Sequence, residues 1–199
     1  MATAAAAAAD QQLALGKKLF YYCPVVLSNY MTAEQTIRAV DNWRTDQFPS
    51  ALPKKHNLHA TVLYVGRIEN SDAVHAANLP KKYAHTKLEG TVHAVDNFYV
   101  QETKETVVVL SFDCEAQQDL HAAMMKDAEA LSGVVIRKPV HRRPDGTLPK
   151  HGFSPHVTIA TYADKDAFQR EWDAAVAANT FADMVGMKVR LEPVQEFYE

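Results

Sequence analysis

Two short motifs, each with a histidine and a threonine two positions apart, hold the side chains of this sequence best suited to chemistry. They are His59-Ala60-Thr61 and His156-Val157-Thr158. Alternate side chains of an extended strand project from the same face, so each motif would present an imidazole beside a hydroxyl. One imidazole can take a proton from an attacking water while the other protonates the leaving oxygen, and the hydroxyls can hydrogen-bond the non-bridging phosphate oxygens. The spacing predicts acid–base catalysis on a phosphodiester, with no metal or other cofactor.

The context of the motifs favours this chemistry over a structural role. With nine histidines in the chain, about one match to the pattern is expected by chance. Both motifs, however, begin apolar runs typical of strands, at 61–65 and 158–162. The opposing interpretation is a pair of half-buried strand histidines that only satisfy backbone groups. The remaining histidines show no zinc spacing, so a zinc site is not expected.

A strand and a helix precede the first motif. Residues 19–23 are rich in strand formers, and Pro24 predicts a sheet edge or the end of that strand. Residues 32–35 have the form of a capping box and are followed by apolar residues at helical spacing, which predicts a helix to about residue 45. Residues 58–66 then predict the strand that carries His59 and Thr61.

The same order of elements precedes the second motif. After a polar connection, residues 87–100 and 106–113 predict two neighbouring strands, the second continuously apolar and therefore buried. Apolar residues from Leu120 to Leu131 lie on one helix face, and the helix should stop at 132–133. Pro155 then opens the strand of His156 and Thr158.

Two further elements are predicted after the second motif. A helix begins near Asp164, with an apolar face formed by Phe168, Trp172, Ala175 and Val176. Residues 187–197 predict one last strand.

Composition restricts the function classes. The chain has 199 residues, of which 47% are hydrophobic and 23% charged. This is globular composition, and no apolar run approaches the roughly 20 residues of a membrane helix. We expect a flexible Ala-rich tail at 1–17 and one domain at 18–199. A net charge of −3 argues against binding long duplex nucleic acid, so a nucleotide or short RNA is the expected partner, with no membrane contact.

The cysteine count and the N-terminus indicate the compartment. Cys23 and Cys114 match no disulfide framework or zinc spacing, so both thiols should pack in the core of a protein from a reducing compartment. The N-terminus lacks the positive region of a secretory signal. We expect a cytoplasmic monomer.

The motif regions resemble those of the 2H phosphoesterase superfamily, and within it the RNA ligase-like 2′,3′-cyclic phosphodiesterases. Residues 59–66 match its His-x-Thr, hydrophobic stretch and closing Gly, and residues 153–160 are close to Phe-x-Pro-His-Val-Thr-Leu-Ala. The resemblance implies an α+β, bilobal fold of two antiparallel-rich sheets, with helices outside and a central cleft. It also implies His59 and His156 as the catalytic pair, and Thr61 and Thr158 as phosphate ligands.

Several substrates agree with that resemblance. The first is a 2′,3′-cyclic phosphate of a nucleotide or short RNA end, hydrolysed to a 2′-phosphate with His156 as base and His59 as acid. A 2′,5′-oligoadenylate or a cyclic oligonucleotide would need the same four residues and a different pocket. A non-catalytic nucleotide- or RNA-binding module is a further alternative, although binding alone does not need two proton-transfer groups.

Residues outside the motifs are further candidates for substrate contacts. The basic stretch 137–153 is either a lid, with Arg142, Arg143 and Lys150 on flanking phosphates, or a solvated turn. Phe153 is the expected ring for stacking on a base. Tyr64, by strand parity with His59, should face the core. Tyr22, Trp43 and Trp172 are also expected there.

Overall fold

The computed structural model describes residues 18–27, 29–30, 32–54, 57–67, 73–129 and 150–198. The expected tail at 1–17, and Arg142 and Arg143, lie outside these residues. The elements of the described residues are β1 (Lys18–Leu27), α1 (Ala33–Gln47), β2 (His59–Arg67), α2 (Ala73–Lys82), β3 (Leu88–Val100), β4 (Glu105–Asp113), α3 (Glu115–Ala128), a 3-10 turn (Lys150–Gly152), β5 (His156–Tyr162), α4 (Lys165–Ala177), a second 3-10 turn (Thr180–Asp183), β6 (Lys188–Leu191) and β7 (Gln195–Tyr198). The predicted α+β class is confirmed.

The strand–helix–strand order before each motif is also confirmed. It appears as β1–α1–β2 and again as β4–α3–β5. The Thr32 side chain caps α1 by accepting a hydrogen bond from the Gln35 amide at 3.2 Å. Asp164 caps α4 by accepting from the amides of Asp166 and Ala167. Both caps satisfy amides that have no partner within their helix.

Three of the predicted elements differ in the structure. The polar connection predicted after β2 contains helix α2. Pro80 lies inside this helix, and a proline at such a position argues against a helix when the sequence alone is considered. The expected last strand is divided into β6 and β7 around Pro193. Strand β1 continues through Pro24, because it changes partners there: residues 18–24 pair with β2, and 25–27 pair with β6. Proline lacks the amide that a strand in mid-ladder needs, and a change of partner tolerates that lack.

The strands join into one antiparallel sheet of seven strands, ordered β2-β5-β4-β3-β6-β1-β7. Because β1 also pairs with β2, the pairing closes a ring through β2, β5, β4, β3, β6 and β1. The two sheets implied by the resemblance are therefore continuous with each other. Ring closure places the two motif strands, β2 and β5, next to each other.

The core lies beneath this sheet, where β4 is buried over residues 106–112 as predicted. Both cysteine thiols are buried there, also as predicted. Burial, with the nearby Cys114, raises the pKa of Cys23 to about 12. Val176 departs from prediction because its side chain is 53% exposed. None of the described helices is both long and apolar enough to cross a membrane.

Gly90 lies where β3 passes close to the start of α3. A Cβ atom added there would collide with the carbonyl oxygen of Asp113 and lie 3.0 Å from the Cβ of Cys114. The colliding atom is backbone, so it cannot move aside as a flexible side chain would. We expect Gly90→Ala to lower the free energy of unfolding by about 1–3 kcal/mol, as overpacking does. Urea unfolding measures this, with Glu89→Ala at the neighbouring exposed position as control. Equal stability of the two variants would contradict the close approach.

Candidate active site

The two motifs meet at a single pair of residues. Ala60 of β2 is directly opposite Val157 of β5 in antiparallel register. Ala60 is 0% and Val157 1% exposed, so both side chains point into the core. The flanking residues of each motif must therefore project from the opposite face of the sheet. The register puts His59 beside Thr158 and Thr61 beside His156.

This register separates the two histidines by one diagonal of the ladder. Side chains directly opposite each other have Cβ atoms about 4.5–5.5 Å apart, and diagonal neighbours about 7–8 Å. Each histidine thus has the other motif's threonine as its near neighbour. The second histidine lies across the diagonal, at a spacing that accommodates one phosphate group.

Both imidazoles are oriented by the same local hydrogen bond. Nδ1 of His59 lies 2.7 Å from the carbonyl oxygen of Asn57, and Nδ1 of His156 lies 2.9 Å from that of Ser154. A carbonyl can only accept, so Nδ1 carries the hydrogen in each ring. The basic nitrogen of the neutral ring is then Nε2, on the side away from the backbone.

The surroundings of the two histidines include aromatic rings. Phe20 stacks on His59 with centroids 5.9 Å apart, and Tyr22 meets it edge-on at 5.3 Å. Phe98 of β3 meets His156 edge-on at 5.7 Å. The Tyr22 hydroxyl donates to Oε1 of Gln195 at 2.8 Å. The expectation that Tyr22 is a core residue is therefore wrong: its half-buried ring lies beside a motif histidine.

The parity argument for Tyr64 is also wrong. The register between β1 and β2 shifts twice, and Tyr64 pairs with Phe20. Directly paired residues share a face of the sheet, so Tyr64 lies on the face of Phe20 and His59. Only the shift between Tyr21 and Tyr22 falls between His59 and Tyr64, and this one irregularity reverses the alternation counted from His59. The sequence carries no signal for it.

Burial affects the protonation of the second histidine. It lowers the pKa of His156 below the ordinary histidine value of 6.5, while the hydrogen bond to the Ser154 carbonyl acts in the opposite direction. Desolvation disfavours the imidazolium, so His156 is neutral at pH 7. A neutral imidazole is able to accept a proton.

A cleft of about 240 Å³ opens beside the motifs, lined in part by His59, Thr158, Lys54 and Asn57. Lys54 is ion-paired with Asp41 of α1. Over the described ranges, no three His, Cys, Asp or Glu side chains gather as metal ligands would. The cleft has room for a phosphate and the small group attached to it.

Two expected substrate contacts have other partners. Phe153 is 4% exposed and stacks on the ring of His121, with centroids 4.2 Å apart and an interplanar angle of 8°. That burial argues against the base-stacking role expected for it. Nζ of Lys150 lies 2.7 Å from Glu115 Oε1 and 2.8 Å from Asp119 Oδ1 of α3. Lys150 thus joins this helix to residues 150–153, the approach segment of the second motif.

Helix α3 also contributes buried polar residues that sequence reasoning missed. Gln117, Gln118 and His121 are 0%, 6% and 3% exposed. Nδ1 of His121 donates to the carbonyl oxygen of Val62 at 2.7 Å. Burial lowers the pKa of His121, which the bond to Val62 partly offsets. The available signal was their spacing, because these polar residues fall among the apolar positions of one helix face.

Two neighbouring strands with His-x-Thr motifs, in an α+β fold, are typical of the two-histidine phosphoesterase class. The family model described as the 2'-5' RNA ligase superfamily matches residues 32–191. The chain belongs to this family, and the resemblance to the 2H phosphoesterases is confirmed. No curated protein matches the chain by sequence.

Solved structures share the architecture at low identity. Kluyveromyces marxianus Usb1 with uridine monophosphate has a TM-score of 0.52 at 11% identity, over 93% of this chain and 95% of that one. E. coli LigT complexed with 3'-AMP has a TM-score of 0.48 at 19% identity, over 72% of each chain. At such identity, the likeness to Usb1 shows the fold.

Replacing His121 by phenylalanine should reduce the pH dependence of stability. The folded pKa of His121 lies below 6.5, so below that pH the unfolded chain binds the extra proton and stability falls as pH falls. Above it the ring is neutral in both states and contributes no slope. His121→Phe leaves the Val62 carbonyl unsatisfied, which should lower the free energy of unfolding by about 1–3 kcal/mol near pH 7.5.

Urea unfolding of both proteins at about pH 7.5 and about pH 5 measures the difference. The variant should lose less stability than the wild type between the two conditions. Carboxylates and His156 contribute to both proteins and cancel in the comparison. An equal loss would mean that His121 titrates normally in the folded state.

Proposed function

We propose that this protein hydrolyses the 2′,3′-cyclic phosphate of a nucleotide or short RNA end to a 2′-phosphate, without a metal ion. The observation that supports this most strongly is the pairing of Ala60 with Val157. That pairing puts two imidazoles and two hydroxyls on one face of the sheet, where a single phosphate can contact all four.

The phosphate binds between the motifs, and the hydroxyls of Thr61 and Thr158 donate hydrogen bonds to its non-bridging oxygens. Nε2 of His156 takes a proton from the attacking water as the new P–O bond forms. The bond between phosphorus and the 3′-oxygen breaks, and His59, which must enter the cycle protonated, gives its proton to that oxygen. Exchange with solvent then restores both rings.

The unequal environments of the rings support this division of roles. His156 is held neutral by burial, which suits a base. Its lowered pKa also makes it a weaker base, so the ring gains a proton readily only when the transition state develops charge nearby. The hydrogen bond from Nδ1 to the Ser154 carbonyl stabilises the imidazolium formed in this step.

The cleft, and the aromatic rings that contact the motif histidines, support a small nucleotide substrate. The volume of about 240 Å³ is below that of pockets that enclose drug-sized ligands. Tyr22 and Phe98, which contact His59 and His156, replace Phe153 as the rings for base stacking, worth about 1–3 kcal/mol per base. A nucleotide monophosphate is present in the Usb1 structure, in agreement with a ligand of this size.

Replacing either histidine by alanine should abolish turnover. Each ring carries one proton transfer, so His59→Ala and His156→Ala should each lower kcat by about 10³-fold or more, and the double variant little further. The exposed His85 supplies the matched control, His85→Ala. Circular dichroism verifies that the variants are folded. A single motif variant with near-wild-type kcat would contradict the assignment.

The wild-type rate should depend on pH and be independent of chelators. A base and an acid predict a bell-shaped profile of kcat/KM. Because the pKa of His156 is lowered from 6.5, activity should rise with pH in a range centred below that value. EDTA should leave the rate unchanged. A rate that EDTA removes and added metal restores would exclude the proposed mechanism.

A substrate panel separates the alternatives that share these four residues. It contains 2′,3′-cyclic AMP, 2′,5′-oligoadenylate and a cyclic dinucleotide, with products identified by chromatography. We expect kcat/KM to be highest on 2′,3′-cyclic AMP and the product to be the 2′-phosphate. Preference for another member would reassign the substrate within the same chemistry. Binding of all members without turnover would instead indicate a nucleotide-binding module.

A further inference from the structure

The two motif strands are held to each other by very little of their own ladder. In the described strands, β2 pairs with β1 along residues 18–24 of β1, and β5 pairs with β4 along residues 106–111 of β4. Between β2 and β5 themselves the register consists of Ala60 and Val157. A single pair fixes one point of contact but leaves the angle between the strands to other elements.

Helix α3 contacts strand β2 and the segment that leads into β5 through buried polar groups. On the β2 side, His121 Nδ1 donates to the Val62 carbonyl at 2.7 Å, and Gln117 Nε2 donates more weakly to the Thr61 carbonyl at 3.4 Å. On the β5 side, Gln118 Nε2 donates to the Phe153 carbonyl at 3.1 Å. The ring of His121 also stacks on that of Phe153. One helix thus bonds to the backbone next to the first motif and to the backbone that leads into the second.

The approach segment is also held to α3 by exposed side chains. Lys150 contacts Glu115 and Asp119, and Nε2 of His151 lies 3.1 Å from Asp119 Oδ1. Such exposed ion pairs contribute little energy individually. Combined with the buried bond of Gln118, they hold residues 150–153 against one helix from two directions.

The held segment leads directly to the catalytic ring. The carbonyl that Gln118 anchors belongs to Phe153, and the next carbonyl, that of Ser154, accepts the hydrogen bond from His156 Nδ1. A displacement of Phe153 would therefore move the Ser154 carbonyl, and with it the hydrogen bond that orients the imidazole of His156. Val62, which His121 anchors, is the residue directly after Thr61.

We infer that Gln118 and His121 are positioning residues that jointly set the spacing and orientation of the two motifs. The inference rests on the proposed function for its kinetic consequences. A positioning role also accounts for polar side chains at the buried positions 118 and 121, where each makes its hydrogen bond to a strand or segment backbone. An error of about 1 Å in the placement of reacting groups can lower a rate by about 10²-fold.

Gln118→Leu and His121→Phe test the inference through the split between kcat and KM. Leucine removes the donor to Phe153, and phenylalanine retains the ring stack while removing the donor to Val62. We expect each to lower kcat by about 10–100-fold. KM for 2′,3′-cyclic AMP should change by less than about threefold, because both threonine hydroxyls are retained for phosphate binding and misplacement of the reacting groups affects the transition state more than the bound substrate. The control is Gln169→Leu, the same substitution at an exposed site of α4, which should retain wild-type kcat.

An NMR titration of the histidine rings gives a readout that needs no turnover. In Gln118→Leu, a loosened approach segment should admit water to His156, and its pKa should rise toward the ordinary 6.5. A residue that only stabilised the fold would leave this titration unchanged. The signal is recorded on ¹³C-labelled protein well below the unfolding temperature, with Gln169→Leu alongside.

The two readouts separate the possible failures. If the wild type turns over no panel member, but the His156 titration moves in Gln118→Leu, the proposed function fails and the positioning role stands. Unchanged kcat and unchanged titration in the folded variant would overturn the inference. If Gln118→Leu does not fold, His121→Phe decides through kcat alone, and wild-type kcat there overturns it.

Discussion

The contact between Ala60 and Val157 is the constraint on which the rest of the site depends. Both side chains are small enough, and buried deeply enough, for the two strands to approach without exposing apolar surface. Because alternation in a strand is strict over a few residues, burying the middle residue of each motif sends its histidine and threonine to the other face. The placement of the four side chains of the proposed site is thus a consequence of what the core requires.

The closed ring of strand pairings gives this contact its stability. A lone bridge between two strands would fray, but β2 is also bonded to β1 and β5 to β4. Each motif strand therefore has the backbone groups along one of its edges hydrogen-bonded to a strand other than its partner motif strand. The remaining freedom lies in how the strands splay, and the polar side chains of α3 act on this freedom from the core side.

The two motifs are similar in geometry and different in environment. Each histidine donates Nδ1–H to the carbonyl two residues before it, which fixes the same tautomer in both rings. Burial lowers the pKa of His156, whereas Phe20 and Tyr22 pack around His59. The proposed division of two proton transfers between similar motifs rests on this difference, because protonation depends on surroundings more than on residue type.

The elements that depend on local sequence were predictable. The cap at Thr32, the apolar run of β4 and both motif strands follow from patterns of a few residues. Prolines produced the errors at β1, α2 and the β6–β7 break, because a proline's effect depends on which neighbour its missing amide faces. The irregularity that turns Tyr64 toward the face of His59 likewise depends on pairing with β1.

By itself, the sequence determined that two histidines and two threonines, residue types suited to proton transfer and phosphate binding, occur in two motifs, and that each pair shares one face of its strand. Tertiary structure alone decided that Ala60 meets Val157, that Phe153 is covered by His121 while Tyr22 lies beside His59, and that Gln118 and His121 bond to the backbone near each motif. The physical reason is the distance along the chain over which each kind of interaction acts. Side-chain alternation and capping act within about one turn or pleat, whereas the meeting of two strands depends on every pairing that closes the sheet.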